Sequence, residues 1–186
     1  PVHGEGGVSG ATVALSADGS RMAVGAPENV PAGPVVDTSD RACSGATCKA
    51  GHVRVFGWNG TAWDQMGADL DGTISNGRYG SAIALSGNGA RLAVGATSGN
   101  SYQKGRVFVY EWNETAWLLM GAAFEDGNQR HGWSVSLNSD GSRLAIGDPD
   151  AEPVGVGGPL SNAGWVKIFE WNGTAWAQMG AHLQYD

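Results

Sequence analysis

The sequence has little cysteine, few basic residues and no long apolar run, and each shortage excludes a class of function. Two cysteines in 186 residues, with no Cys/His ligand spacing around them, exclude a zinc-centred fold. Their Cys-x4-Cys spacing is not that of a thioredoxin-like redox pair, so catalytic thiol chemistry is not expected. Eleven Lys and Arg against eighteen Asp and Glu leave a formal charge of -7, without the basic footprint of a phosphate-backbone binder. Nucleic acid is therefore not an expected partner. No apolar run approaches the roughly 18 residues of a membrane-spanning helix, so no membrane insertion is expected.

Catalytic signatures are missing too. His3, His52, His131 and His182 are dispersed, with no HExxH spacing. The glycines form neither a P-loop nor a dinucleotide fingerprint, and Ser16 and Ser86 lie in repeated segments rather than at a nucleophile elbow. No cofactor is expected.

Glycine, by contrast, is abundant. There are 31 in 186 residues, more than twice the usual share of roughly 7%, and without the strict triplet of collagen. Many belong to a unit that occurs three times. Gly10-Ala11-Thr12-Val13-Ala14-Leu15-Ser16 leads through Asp18-Gly19 to Arg21-Met22-Ala23-Val24-Gly25-Ala26-Pro27. Gly80 to Ser86, Asn88-Gly89 and Arg91 to Ala96 form the second copy, and Gly132 to Leu137, Asp140-Gly141 and Arg143 to Pro149 the third. A second block follows each: Val53-Arg54-Val55-Phe56, Val107-Phe108-Val109-Tyr110 and Val166-Lys167-Ile168-Phe169. These lead to Trp58, Trp112 and Trp171, then the turns Asn59-Gly60-Thr61, Asn113-Glu114-Thr115 and Asn172-Gly173-Thr174, then Trp63, Trp117 and Trp176.

Short alternating stretches of Val, Leu, Ile and aromatics, punctuated by Asn-Gly and Asp-Gly, predict strands and hairpins rather than helices. Side chains alternate along a strand, so Val53 and Val55 face one way and Arg54 and Phe56 the other. Each unit offers four strands, which in the middle copy fall near 81-86, 91-96, 106-112 and 116-121. One such sheet would leave an apolar face bare, whereas stacking copies bury each other. The expected fold is all-β: a β-propeller of four-stranded antiparallel blades. Blade 1 covers 8-70, blade 2 covers 79-124 and blade 3 covers 131-184, together one propeller segment.

These units resemble the FG-GAP-like repeats of integrin α-subunit propellers and of secreted or cell-surface proteins. The resemblance rests on Gly10, Gly80 and Gly132, with Val24-Gly25-Ala26-Pro27, Val94-Gly95-Ala96 and Ile146-Gly147-Asp148-Pro149. It departs before the first glycine, where Ser9, Tyr79 or His131 stands in place of Phe. A secreted or extracellular location is what it implies. Metal-bearing members place several aspartates between strands one and two, but each corresponding turn here holds at most one acid, Asp18 or Asp140, with Asn88 in the middle copy. Calcium needs six to eight oxygens, so no metal is expected there. Three blades fall short of the usual four to eight. Completion to six by homodimerisation, or by the remaining blades of a longer protein, is expected.

The segments after strand two vary in length, with Gly25 to Gly51, Gly95 to Gly105 and Gly147 to Gly164 spanning 26, 10 and 17 positions. Loops absorb such changes while the strands stay fixed. In the resembling propellers these loops share a face with the connections between blades, which makes it the expected recognition face. Cys43 and Cys48 close a small loop in the longest insertion, and a disulfide is expected between them. Asp148, Asp150 and Glu152 form an acidic cluster that reads as a polar loop in preference to a calcium site.

The repeated tryptophans read as packing. Trp133 and Trp165 break the repeat, and with Tyr79, Tyr102 and His131 they are the candidate ligand-binding residues. Asn59, Asn113 and Asn172 satisfy the glycosylation pattern, although hairpin geometry alone accounts for their recurrence. The function expected is a non-catalytic extracellular adhesion or protein-interaction scaffold. A glycan-binding, lectin-like propeller is the first alternative, and a glycoside hydrolase-like enzyme with acids from separate loops is the second.

Overall fold

The computed structural model describes residues 10–30, 49–98, 104–125, 130–150 and 164–184. Its regular structure among those residues is all β, in three antiparallel sheets. Sheet one contains β1 (Thr12–Leu15), β2 (Arg21–Ala26), β3 (His52–Trp58), β4 (Trp63–Gln65) and β5 (Leu70–Asp71). β6 (Tyr79–Leu85), β7 (Arg91–Ala96), β8 (Arg106–Trp112), β9 (Trp117–Leu119) and β10 (Phe124–Glu125) make sheet two. Sheet three is β11 (Ser134–Leu137), β12 (Arg143–Asp148), β13 (Trp165–Trp171) and β14 (Trp176–Gln178).

The strands pair in chain order, and short hairpins join the first strand of each sheet to the second and the third to the fourth. The first hairpin turn is held by a side chain. Asp18 Oδ1 accepts from the Ser20 amide at 2.9 Å and from the Ser16 hydroxyl at 2.6 Å. Asn88 and Asp140 accept the matching amides of Ala90 and Ser142. The following glycines, Gly19, Gly89 and Gly141, have φ of 65 to 70°, a left-handed conformation that a β-carbon opposes. The second hairpin uses Asn59, Asn113 and Asn172, whose Oδ1 atoms accept from the amides two and three residues on and from the Thr hydroxyl. These asparagines thus shape the turns at the end opposite the long loops.

The outer strand differs from the single segment expected at 116-121. It comes in two pieces: β9 and β10 both pair with β8, as β4 and β5 both pair with β3. In sheet three the second piece is a bridge between Val166 and Leu183. The break falls at Gly67, Gly121 and Gly180, with φ of 78, 76 and 69°, each just after a methionine. A positive φ turns the chain off the ladder for a few residues before it returns.

The sheets stack side by side. β1, β6 and β11 are the first strands of the three sheets; β6 touches β1, β2 and β11, and β11 also reaches β7. Close approach requires glycine: a β-carbon at Gly25 would collide with the Gly80 carbonyl, and one at Gly95 with the Gly132 carbonyl. One core cluster fills the first joint, with Val53, Val55, Tyr79, Leu92 and Trp117. The second fills the next, with Val107, Val109, Met120, Leu144 and Ile146. The result is three propeller-like blades.

Candidate functional site

Strand direction brings the starts of the inner strands, the ends of β2, β7 and β12 and the starts of β3, β8 and β13 to one end of the stack. Loop and connection are tied together there. Glu28, after β2, accepts from Lys49 at 3.2 Å and lies 3.7 Å from Arg78, in the link between blades one and two. Arg130, in the link before blade three, pairs with Asp150 at 2.9 Å. Each such pair is exposed and weak alone, but both limit the freedom of a surface that a ligand would meet.

All three blades line a cavity of about 330 Å³ at this end, through Thr12, Glu28, Arg78, Ser81, Thr97 and Trp133. Thr12 donates to the Gly80 carbonyl at 2.7 Å, and the Thr97 and Ser81 hydroxyls lie 3.0 Å apart. Trp133 is 53% exposed, with the Arg130 guanidinium 4.9 Å from its ring centre. Asp150 pairs with that guanidinium, so the half-exposed indole carries a paired cation against its ring. A second cavity, about 550 Å³, lies on the outer flank of blade three between Trp133, Gly147, Asp148, Trp165, Val166 and Leu183.

The candidate residues fall in three kinds of place. Trp133 stands at the surface between both cavities. Trp165 lines the second cavity, half-buried, with the Lys167 ammonium 4.2 Å from its ring and His131 at 5.3 Å on the other contact. His131 itself is buried. Tyr79 is buried in the first joint, where its hydroxyl bonds Tyr110 at 2.8 Å and its ring lies 5.4 Å from Phe108. Burial pushes its phenol well above the ordinary value. Tyr102, Cys43 and Cys48 lie outside the described residues, as does Glu152. The rest of the acidic cluster divides: Asp148 is buried and accepts the Asp150 amide at 3.1 Å, while Asp150 faces Arg130. Among the described residues, no three His, Cys, Asp or Glu side chains gather as a metal site.

The sequence reading passed over Arg78 and Arg130. They occupy one repeat position, two residues before Gly80 and Gly132, and that match was the available signal. Also on this end, His52 pairs in register with Asp71. Burial, then the Arg54 charge, holds His52 below its ordinary value, whereas burial and Asp69 raise Asp71.

No family model matches the chain, and no curated protein sequence matches it. Solved structures do. A candidate 6-phosphogluconolactonase from Bacteroides fragilis superposes with TM-score 0.58 at 14% identity, covering 94% of this chain and 39% of that one. Another from Bacteroides uniformis gives TM-score 0.56 at 12% identity, covering 94% and 40%. The β-propeller domain of the Trilobed protease from Pyrococcus furiosus gives 0.46 at 10%, covering 91% and 42%. The chain spans about two fifths of the structures it matches. At such identity the likeness concerns fold alone.

Proposed function

We propose that the chain is a non-catalytic protein-interaction scaffold of FG-GAP-like blades, acting outside the cell as an adhesion or recognition module through the face around Trp133. One observation supports this most: an exposed indole lies against the Arg130 guanidinium, which is itself paired with Asp150. Trp and Arg are the residues that most often dominate interface energy. Holding them in place before contact lowers the ordering cost of binding.

Glycan binding is the second reading. It is favoured by the open indole face beside the Thr12, Ser81 and Thr97 hydroxyls, which together suit a sugar ring and its polar edge. A hydrolytic reading draws on the names of the structural neighbours. Glu28, the carboxylate lining the 330 Å³ cavity, is paired with Lys49 and Arg78, which disfavours its use as a general base.

The test screens the 186-residue chain against arrays of extracellular protein domains and of glycans, with Trp133→Ala and Arg130→Ala beside it. The scaffold reading expects protein hits that weaken by roughly tenfold or more in Trp133→Ala, with the strand signal unchanged. Hits on glycans alone would transfer the site to the second reading. Binding that ignores both substitutions would remove this face from the account.

A further inference from the structure

Arg78 and Arg130 occupy one repeat position, but only Arg130 has a close acid. Both close the same turn: the Ser81 amide donates to the Arg78 carbonyl at 3.0 Å, and the Trp133 amide to the Arg130 carbonyl at 3.0 Å. Arg130 finds Asp150 on its own blade, three residues after Gly147. Three residues after Gly95, the same place in blade two holds Ser98. Arg78 is left with Glu28 of blade one, 3.7 Å away and beyond hydrogen-bond reach, and the other oxygen of that carboxylate accepts from Lys49 at 3.2 Å. Every other described arginine reaches a carbonyl or carboxylate oxygen at 3.1 Å or less.

Arg78 is thus a guanidinium whose donors meet no hydrogen-bond acceptor among the described residues, and it lines the 330 Å³ cavity. Lys49, Arg78 and Glu28 together carry a net positive charge, a local reversal in a chain of formal charge -7. The other walls are neutral: Ala11, Thr12, Pro27, Ser81, Thr97 and Trp133. Their hydroxyl protons are already committed to the protein. Thr12 donates to the Gly80 carbonyl, Ser81 to the Gly95 carbonyl at 3.2 Å and Thr97 to the Ser81 hydroxyl. The Thr12 and Thr97 oxygens are left as acceptors for a ligand N–H. Arg78 also has φ 47°, a left-handed conformation that glycine would adopt without a clash, so an arginine there carries a backbone cost that glycine would not.

We propose that Arg78 receives a carboxylate from the ligand: an Asp or Glu side chain of a protein partner enters the cavity and sets its oxygens against the guanidinium, in the role that Asp150 plays for Arg130. Trp133 supplies the apolar wall beside it, and the Thr12 and Thr97 oxygens accept from N–H groups of the partner. This rests on the reading of the Trp133 face as a protein-recognition surface, and it names the chemistry of the partner. The planar fork of an arginine suits a carboxylate, which can accept two parallel hydrogen bonds from it. The incoming acid competes with Glu28 for the same guanidinium, so Glu28 sets how tightly that acid is held. Arg78, Glu28, Ser81 and Thr97 lie in blades one and two and the link between them, and that joint is formed wholly within the chain.

The experiment pans a displayed library of random peptides on the full 186-residue chain. The enriched peptides are then measured by fluorescence polarisation against the wild type, Arg78→Gln, Glu28→Gln and Trp133→Ala. They are expected to share an Asp or Glu whose replacement by Asn or Gln weakens binding roughly tenfold or more, the worth of a charge-assisted hydrogen bond. Arg78→Gln is expected to weaken the acidic peptides by a similar factor and to leave their Asn or Gln versions unchanged, while Glu28→Gln tightens the acidic peptides alone. Arg78→Gly, which suits the left-handed backbone, replaces Arg78→Gln if circular dichroism shows that variant to have lost its strands. Peptides that need Trp133 but share no acid, or an acid whose effect survives in Arg78→Gln, would overturn the assignment and leave the recognition face standing. A library that yields no Trp133-dependent peptide would overturn the recognition face and the assignment with it. Glucuronate, titrated against the same variants, tests an acidic sugar as the source: Arg78-dependent binding of glucuronate with no acidic peptide enriched would overturn the protein partner.

Discussion

The indole Nε1 of Trp117 donates to the main-chain carbonyl of Met66 across the first blade joint, at 3.0 Å. Trp176 repeats the bond to Met120, also at 3.0 Å. In both cases the accepting carbonyl precedes the glycine that breaks the outer strand, so the break is part of the joint. The chain leaves its ladder there, and the neighbour's indole takes the carbonyl while its rings cover the glycine.

Truncating Trp117 therefore tests the joint. Trp117→Phe is expected to cost about 1 kcal/mol, the worth of one hydrogen bond, and Trp117→Ala about 3–5 kcal/mol through lost burial. Trp63→Ala, where the same residue type is exposed, is expected to cost well under half of that. Urea melts of the variants compare them.

Glu114 is the one residue of its turn set that breaks the glycine pattern: it adopts φ 79° where Gly60 and Gly173 adopt 100°. A left-handed conformation costs a residue with a β-carbon roughly 1–2 kcal/mol. Glu114→Gly is expected to raise stability by about 0.5–1 kcal/mol, after the greater freedom of glycine in the unfolded chain is deducted. The check is a higher thermal midpoint with no change in the strand spectrum.

Hydrogen bonds from Ser16 and Ser20 lower the Asp18 carboxyl from 3.8 to about 2. A depressed folded value contributes stability above the unfolded value, and that contribution disappears as pH falls through the folded one. Between about pH 4 and pH 2 the wild type is therefore expected to lose stability that Asp18→Asn, lacking a titrating group, does not lose. Parallel acid titrations followed by tryptophan fluorescence show this as a converging pair of curves. Curves that stay parallel would contradict the assignment.

The glycines at the inner joint give a steric prediction. A β-carbon at Gly95 would collide with the Gly132 carbonyl and approach Ala82, neither of which can swing away. Gly95→Ala is expected to destabilise by about 2–4 kcal/mol, the range of overpacking and backbone displacement. An unchanged denaturation midpoint would mean that the blades sit farther apart.

The blade count and strand order were legible because three copies of one pattern, spaced 70 and 52 positions apart at Gly25, Gly95 and Gly147, keep the same order of glycines, turn residues and apolar positions. The broken outer strand was not read, although Met66-Gly67, Met120-Gly121 and Met179-Gly180 recur in register. Alternation has a period of two and conveys nothing about a glycine with positive φ. Tyr79 and His131 looked like connection residues because they precede the glycines that begin the repeat, yet Tyr79 is already paired with Ala96 in β6. Trp133 could be singled out as an aromatic outside the repeat; its contact with Arg130, and the pairing of Arg130 with the acid at 150, required the fold.

The most direct measurement of the stacked-blade account is the nuclear Overhauser pattern of the indole N–H protons in an isotope-labelled sample. Trp117 and Trp176 are expected to show cross-peaks to the α-protons of Met66 and Gly67, and of Met120 and Gly121, residues 51 and 56 positions from their carbonyl partners. Indole protons that see only their own repeat would mean that the three sheets do not pack as successive blades.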